Sequence, residues 1–428
     1  MALTVARETI TARVPALGLD LAVIDHSIKL DDARTPYVEA RLTCSRGTDY
    51  SVARFRDFDA AMSEVETFAD FDALFTGDTF GDFDDWASDL PRLPAVDIAV
   101  IDTLDPRQNL RVEVTLTREN VAPNTTTQTR TLDLYLHARH LDASDGTVEL
   151  VCRSDEAVLI DDMLGGTTVD AGAETYQASL RGIVDYVLAP FGAALEPGTA
   201  DADFTLTEEG RDPDALKREP GERAWDFLSP LVNAAGLRLY CDEQRRWYLV
   251  DPAMYTVPGS LRISEGFNAT EAADDIDLSA ADRGVPGYAE TVVVKYTWTD
   301  GDGVQQVAYD SAGAAHGIGR LVEVARPFPG AGAAAALLKK SEGKGRTLDL
   351  EALNDLSATP GQTLVATIPN TPLQVGIVSS VEWRSDGTMR VGSRGLTDTP
   401  ETAWALQPEG YAWEDVPTGQ DWTEYETP

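Results

Sequence analysis

The chain has 428 residues and a formal net charge of −37, from 72 acidic against 35 basic side chains. That length allows roughly two to four domains with sizeable cores. The charge balance excludes a surface built to hold nucleic acid, which needs clustered Lys and Arg, although an acidic wall would let DNA slide past without trapping it.

No apolar run reaches the ~18 residues of a membrane span. The first stretch, MALTVARETITARV, carries Arg7, Glu8 and Arg13 where a signal peptide needs an apolar core, so no Sec export is expected. The three cysteines, Cys44, Cys152 and Cys241, lie far apart inside apparent strands with no C-x-x-C spacing. They read as small buried hydrophobes of a protein made in the cytosol. Two glycosylation sequons, at Asn124 and Asn268, have no expected secretory route to serve them. Lysine is scarce, and Arg, Asp, Ala and Gly dominate. Either a GC-rich coding source or a salt-loving host would produce that bias.

Residues 1 to about 48 predict strands at 19–24 and 27–30 around an Asp25-His26 turn, then at 37–44 after the Thr35-Pro36 breaker. Residues 49–95 interleave Asp and Phe with small residues and keep no strand period. They read as an insertion, partly helical at 60–73. Phe55, Phe58, Phe68, Phe71, Phe75, Phe80, Phe83 and Trp86 either contact another surface or pack on their own domain. Asp78, Asp82, Asp84 and Asp85 could gather Ca²⁺, but a regular D-x-D-x-D-G loop with its distal Glu is absent. Strands resume at 97–102, 110–117, 131–138 and 147–153, with an Asp145-Gly146 hairpin signal before the last. This makes about six short antiparallel strands, enough for a small barrel or sandwich. His137 and His140 stand three apart with no third metal ligand in sight, which favours a surface or packing role.

Residues 155–165 read as the exit from this unit. Tyr176, Leu180, Ile183, Val184, Val187 and Leu188 then keep a helical stripe that Pro190 and Gly192 end. After a short strand at 203–207 comes the most informative stretch, 218–252. Trp225, Leu228, Leu231, Val232 and Ala235 form one helical face, weakened by Pro230. Gly236 sits at the left-handed C′ position. Leu237, Leu239 and Cys241 alternate with Arg238 and Tyr240 as a strand, residues 242–246 turn, and 247–250 return. Residues 259–288 read as an acidic connector. Strands follow at 290–298, 304–309, 320–326, 346–350, 362–368, 374–383 and 388–394. The segment Gly330-Ala331-Gly332-Ala333-Ala334-Ala335 matches G-x-G-x-x-A but lacks the long helix and acidic partner of a dinucleotide site, so its small residues serve close helix packing. Past Leu396 the chain turns acidic and rich in Trp and Tyr, either as an arm docked on a neighbour or as a disordered tail.

The pattern A-W-x-x-L-x-x-L-x-x-x-x-G-L-x-L-Y-x-D-x-x-x-x-W-Y-L over residues 224–249 resembles the helix-hairpin of hub proteins at the tip of tailed-bacteriophage tails. His26-Ser27-Ile28-Lys29-Leu30-Asp31 followed by Thr35-Pro36-Tyr37-Val38-Glu39-Ala40 is similar to that family's first barrel, where D-x-x-R-x-P-Y recurs, with Arg34 and Pro36 in place. Pro360-Gly361-Gln362-Thr363, the run from Gly376 to Trp383, Met389 and Arg394-Gly395-Leu396 resemble its closing strands. The likeness spans most of residues 20–396 and leaves out 49–95 and the tail.

What the resemblance implies is a mainly β fold with α+β character: two small antiparallel β-barrel domains separated by an α/β module. The expected division is a first barrel at 1–165 with the insertion 49–95, an α/β module at 166–258, a connector and second barrel at 259–397, and an aromatic acidic arm at 398–428. The family implies a homotrimeric virion hub in the phage tail tip. Its partners would be the distal tail protein, the tape measure, and tip or fibre proteins, around a DNA channel that binds no nucleic acid stably. On this reading there are no catalytic, cofactor-binding or metal residues and no cofactor. The alternatives are a tail-associated cell-wall hydrolase and a carbohydrate-binding tip module using the aromatic residues of 404–425. The four histidines make no H-E-x-x-H, no G-x-S-x-G occurs, and the abundance of carboxylates makes any acidic pair uninformative.

Overall fold

In the computed structural model the described residues are 5–45, 104–122, 126–142, 147–171, 179–197, 211–251, 257–264, 267–276, 288–342, 346–367 and 374–398. The insertion 49–95, the strands expected at 97–102 and 203–207, the Asp145-Gly146 turn and the tail past 398 lie outside them. The fold is mainly β, with antiparallel sheets and four short α-helices among the described residues, as the resemblance implies.

Two compact units divide the chain. The first comprises residues 1–26 and 40–152. It contains β1 (Val5–Val14), β2 (Leu19–Leu21), the start of β3 (Val23–Asp31), most of β4 (Val38–Ser45), β5 (Arg111–Ala122), β6 (Thr126–Asp142) and β7 (Thr147–Arg153). The sheet order is β4-β7-β6-β5-β1-β2. Apolar residues at alternate positions supply the core: Leu42 and Cys44 on β4, Val112 and Val114 on β5, Leu132, Leu134 and Leu136 on β6, and Leu150 and Cys152 on β7, all fully buried. The turn expected at Asp25-His26 does not form, and β3 runs straight through it. The apolar alternation lapses there because Ile24 and Asp25 face solvent.

The second unit comprises 27–39 and 153–428. Residues 155–165, expected to be an exit segment, begin with a helix, α1 (Glu156–Asp161). The pair β8 (Val169–Asp170) and β9 (Lys217–Arg218), the helix α2 (Leu180–Leu188), the helix α3 (Ala224–Ala234) and the hairpin β10 (Arg238–Cys241) with β11 (Trp247–Val250) follow. Ser179 caps α2, its Oγ accepting from the Gly182 amide at 3.2 Å. Helix α3 continues through Pro230. Its buried face is turned from the expected one: Ala224 and Phe227 are fully buried with Leu228 and Leu231, while Trp225 and Ala235 are half-buried at the margin. Gly236, at φ 73°, closes α3 as expected. The Leu237 amide bonds the Val232 carbonyl at 3.0 Å and the Gly236 amide bonds that of Asn233 at 3.0 Å, the double bond of a Schellman cap. Both faces of β10 are covered, so Tyr240 is buried alongside Leu239 and Cys241.

Within residues 259–288, read as a connector, lie β12 (Ser260–Ser264) and β13 (Ala269–Ile276). The Ala, Glu and Asp of β13 have low strand propensity, and its ladder with β17 (Arg346–Leu353) overrides that preference. A separate three-stranded sheet holds β14 (Thr291–Thr299), β15 (Gln305–Gly313) and β16 (Gly319–Val324) in the order β15-β14-β16, with β14 and β16 parallel. Helix α4 (Ala333–Glu342) packs on β14 and β15. The last strands are β18 (Thr363–Thr367), β19 (Gln374–Arg384) and β20 (Thr388–Asp398). They join the order β13-β17-β20-β19, and β18 pairs with both β19 and β12. On β19, residues 374–377 pair with β18 and residues 380–384 pair with residues 27–31 of β3. Trp383, fully buried, donates its indole N–H to the Asp355 carbonyl at 2.9 Å.

The small residues before α4 do serve close packing. Asp310 of β15 accepts from the amides of Gly332 and Ala334 at 3.0 and 2.8 Å, capping the helix. Gly332 has φ 135°, and a Cβ there would overlap the Ala234 carbonyl of α3. Gly332→Ala is therefore expected to lower stability by about 3 kcal/mol, from overlap and backbone strain together. The change in urea midpoint at constant slope measures it.

Candidate functional site

Among the described residues no group of three His, Cys, Asp or Glu stands close enough to hold a metal ion. His137 packs edge-on to Tyr135, with ring centroids 6.4 Å apart. Burial pushes the Cys44 thiol up to about 12 and raises those of Cys152 and Cys241 as well, so none is a ready nucleophile at neutral pH. Asp78, Asp82, Asp84 and Asp85 lie outside the described residues.

What the structure does build is a joint, and it unites two of the motifs quoted from sequence. Asp31, Arg34, Pro36 and Tyr37 form a tight connection between β3 and β4. The Asp31 carboxylate accepts from the Ala33 amide at 3.0 Å and pairs with Lys29 at 3.0 Å and Arg34 at 3.4 Å. This delivers Tyr37 edge-on to Tyr240 of the hairpin, 5.3 Å between centroids, and Tyr240 in turn stacks on Tyr248 at 5.3 Å. The Arg238 guanidinium lies over the rings of Tyr37 and Tyr240, at 5.2 and 4.5 Å. Below these rings sits Glu156, whose Oε1 accepts from the amides of Tyr37 and Cys241 at 3.3 and 2.9 Å. Arg394 of β20, another motif residue, pairs with Asp32 at 2.7 Å. The hairpin turn is fixed by Asp242, which accepts from the Gln244 and Arg246 amides at 2.9 Å each and from Arg246 Nε at 2.8 Å.

A second centre, not foreseen from sequence, is Arg326. It follows β16 and is only 7% exposed. It donates to the carbonyls of Phe227 at 2.6 Å, Lys217 at 2.9 Å and Ala215 at 3.3 Å. Its Nε pairs with Glu222 at 2.8 Å, and its guanidinium lies 4.8 Å from the centre of the Phe227 ring. Burial raises the Glu222 carboxyl and the adjacent Arg326 offsets part of that rise. Burial likewise lowers Arg326, against the pull of Glu222. One side chain thus ties the three-stranded sheet's exit to α3 and to the strand before it.

The outer face of the three-stranded sheet exposes three large apolar side chains. Val307 and Tyr309 on β15 and Leu321 on β16 are 49%, 63% and 60% exposed. Between them Lys295 of β14 pairs with Glu323 at 2.9 Å. The opposite face is covered, with Val292, Val294 and Tyr296 buried beneath α4.

Arg326→Met keeps the apolar stem but leaves three carbonyls and Glu222 without their donor. The expected loss is about 3 to 5 kcal/mol, read as a fall in urea midpoint. Adding Glu222→Gln should recover part of it, because the second change removes the stranded charge.

No family model and no curated protein matches the chain. Solved structures do. The 43 kDa tail protein of prophage MuSo2 from Shewanella oneidensis aligns at TM-score 0.51 with 11% identity, over 91% of this chain and 98% of its own. A tail protein from Neisseria meningitidis MC58 aligns at TM-score 0.48 with 12% identity, over 90% and 96%. The E. coli c3393 protein, a type VI secretion system component with similarity to T4 tail proteins, aligns at 0.39 with 11% identity, over 91% and 77%. The last two score under one half and carry no argument. The first extends over nearly the whole of both chains, and on it the chain has the fold of a phage tail protein.

Proposed function

We propose that this chain is a structural protein of a phage virion, a hub at the distal end of the tail. The observation that carries the reading is the likeness of fold, end to end, to the prophage tail protein. The joint supports it: the residues quoted for the hub resemblance, Tyr37 from one segment and Tyr240 from another, are in contact. In this reading three copies form a ring, each contributing two barrels, with the division into 1–165, 166–258, 259–397 and 398–428. The ring joins the distal tail protein and tape measure to the tip or fibre and lines the path of the DNA. A net charge of −37 suits a channel that phosphate must leave freely. The exposed Val307, Tyr309 and Leu321 suit a protein that works inside an assembly. No helix among the described residues is long and apolar enough to cross a membrane. The role is non-enzymatic, with partners that are proteins.

Light scattering of the purified full chain across a salt series tests this. Salt is varied because copies this acidic repel one another at low ionic strength. Three chain masses at moderate salt are expected. Peptidoglycan hydrolysis by the pure protein, abolished by changing one carboxylate, would overturn the reading in favour of a tail-associated hydrolase.

A further inference from the structure

Glu156 is a glutamate where an apolar residue would be expected. It is 1% exposed, at the first turn of α1. Two peptide donors from distant segments, Tyr37 and Cys241, meet the same oxygen, Oε1, and the carboxyl also bonds its own amide. The Ser154 hydroxyl also bonds to the carboxyl, and Ser154 Oγ accepts from the Val38 amide at 3.0 Å. The other oxygen, Oε2, is buried and has no partner. A carboxylate shares its charge over two oxygens and needs donors on both. A neutral carboxyl has one carbonyl oxygen that accepts and one hydroxyl. An unpartnered buried oxygen costs more as half of a charged carboxylate than as a hydroxyl, which favours the neutral form.

The surroundings do not supply a counter-charge. Arg245 is held by Asp155 at 3.1 Å, Arg246 by Asp242 at 2.7 Å and Arg153 by Glu39 at 3.0 Å, while Arg238 lies on the tyrosine rings. Cys241 and Glu243 add only acidic groups from the hairpin, and Tyr37 and Tyr240 add phenols. Among the described residues Glu156 has no ion-pair partner.

We propose that Glu156 is a proton-operated latch: protonated, it clasps the 27–39 segment to the hairpin, and loss of its proton frees the two. Nothing in this depends on the tail reading. Burial raises its carboxyl above the ordinary range. The closed joint therefore binds the proton more tightly than the open one. Its contribution is fully present below the ordinary glutamate pKa, near 4.3, and is lost as pH rises toward the raised value. Across that window each pH unit opens the joint about tenfold more often.

Hydrogen exchange of the full chain, followed at the Tyr37 and Cys241 amides from pH 5 upward, tests it. Base-catalysed exchange alone steepens about tenfold per pH unit, and the latch adds a further factor of about ten. The native chain should therefore steepen about a hundredfold at these two amides and tenfold at the Val294 amide of β14. Glu156→Gln keeps the accepting oxygen and cannot ionise, so it should show tenfold at all three. Equal slopes at Cys241 and Val294 in the native chain, or an unchanged steep slope in the variant, overturn the proposal. If the variant does not fold, the contrast between the two native amides decides.

Discussion

A guanidinium buried away from water is costly unless every face of it is used. Arg326 meets that demand by donating to three carbonyls on two stretches of chain, Ala215 and Lys217 on one and Phe227 on the other, while Glu222 neutralises it. The placement of α3 depends on this. The Phe227 carbonyl lies within the first turn of α3, so the helix is set by a side chain from beyond the three-stranded sheet. Gly332 then brings α4 against the other end of α3, at Ala234. Helix α3 is thereby located at both ends by residues from the 300s, and its own Schellman cap launches the hairpin from a fixed point. Neither element would be placed by its own sequence alone.

The same logic operates where the chain returns to residues 27–39. Ser27 to Asp31 add to the edge of β19, and the short connection that follows carries Tyr37 onto the hairpin. A segment separated from its partners by hundreds of residues is thus held twice, once by ladder hydrogen bonds and once by an edge-on ring contact. Such long-range closures make for slow folding. They also tie the joint to one acceptor, since the backbone donors at Tyr37 and Cys241 both end on Glu156 of α1.

Much of this architecture could be read from residue pattern. The helix and hairpin at 224–250 were legible because a 3.6-residue stripe, a glycine stop and a two-residue alternation follow one another without interruption. Strands β4, β14 and β19 announced themselves through Val, Ile and alternating apolar positions. The misses have equally local causes. β13 is built from Ala, Glu and Asp, so only its partner strand reveals it. β3 was divided at Asp25-His26 because solvent exposure interrupts alternation much as a turn does. Phe227 escaped the expected stripe because Trp225 offers a competing helical face, and burial alone decides between them. Arg326 and Glu156 carried no signal: an arginine before a proline and a glutamate at a helix start are ordinary surface patterns. Their importance lies entirely in what folds over them.

The three cysteines carry a practical consequence. All are buried, each with its thiol held far from ionisation, and the chain has no others. A cysteine introduced on exposed ground, at Val307 or Leu321, would ionise near 8.5 and react with a maleimide well before any native thiol. The wild-type chain is therefore already a single-label scaffold: fluorophores or spin probes can be set at chosen positions without first deleting the native cysteines from its cores.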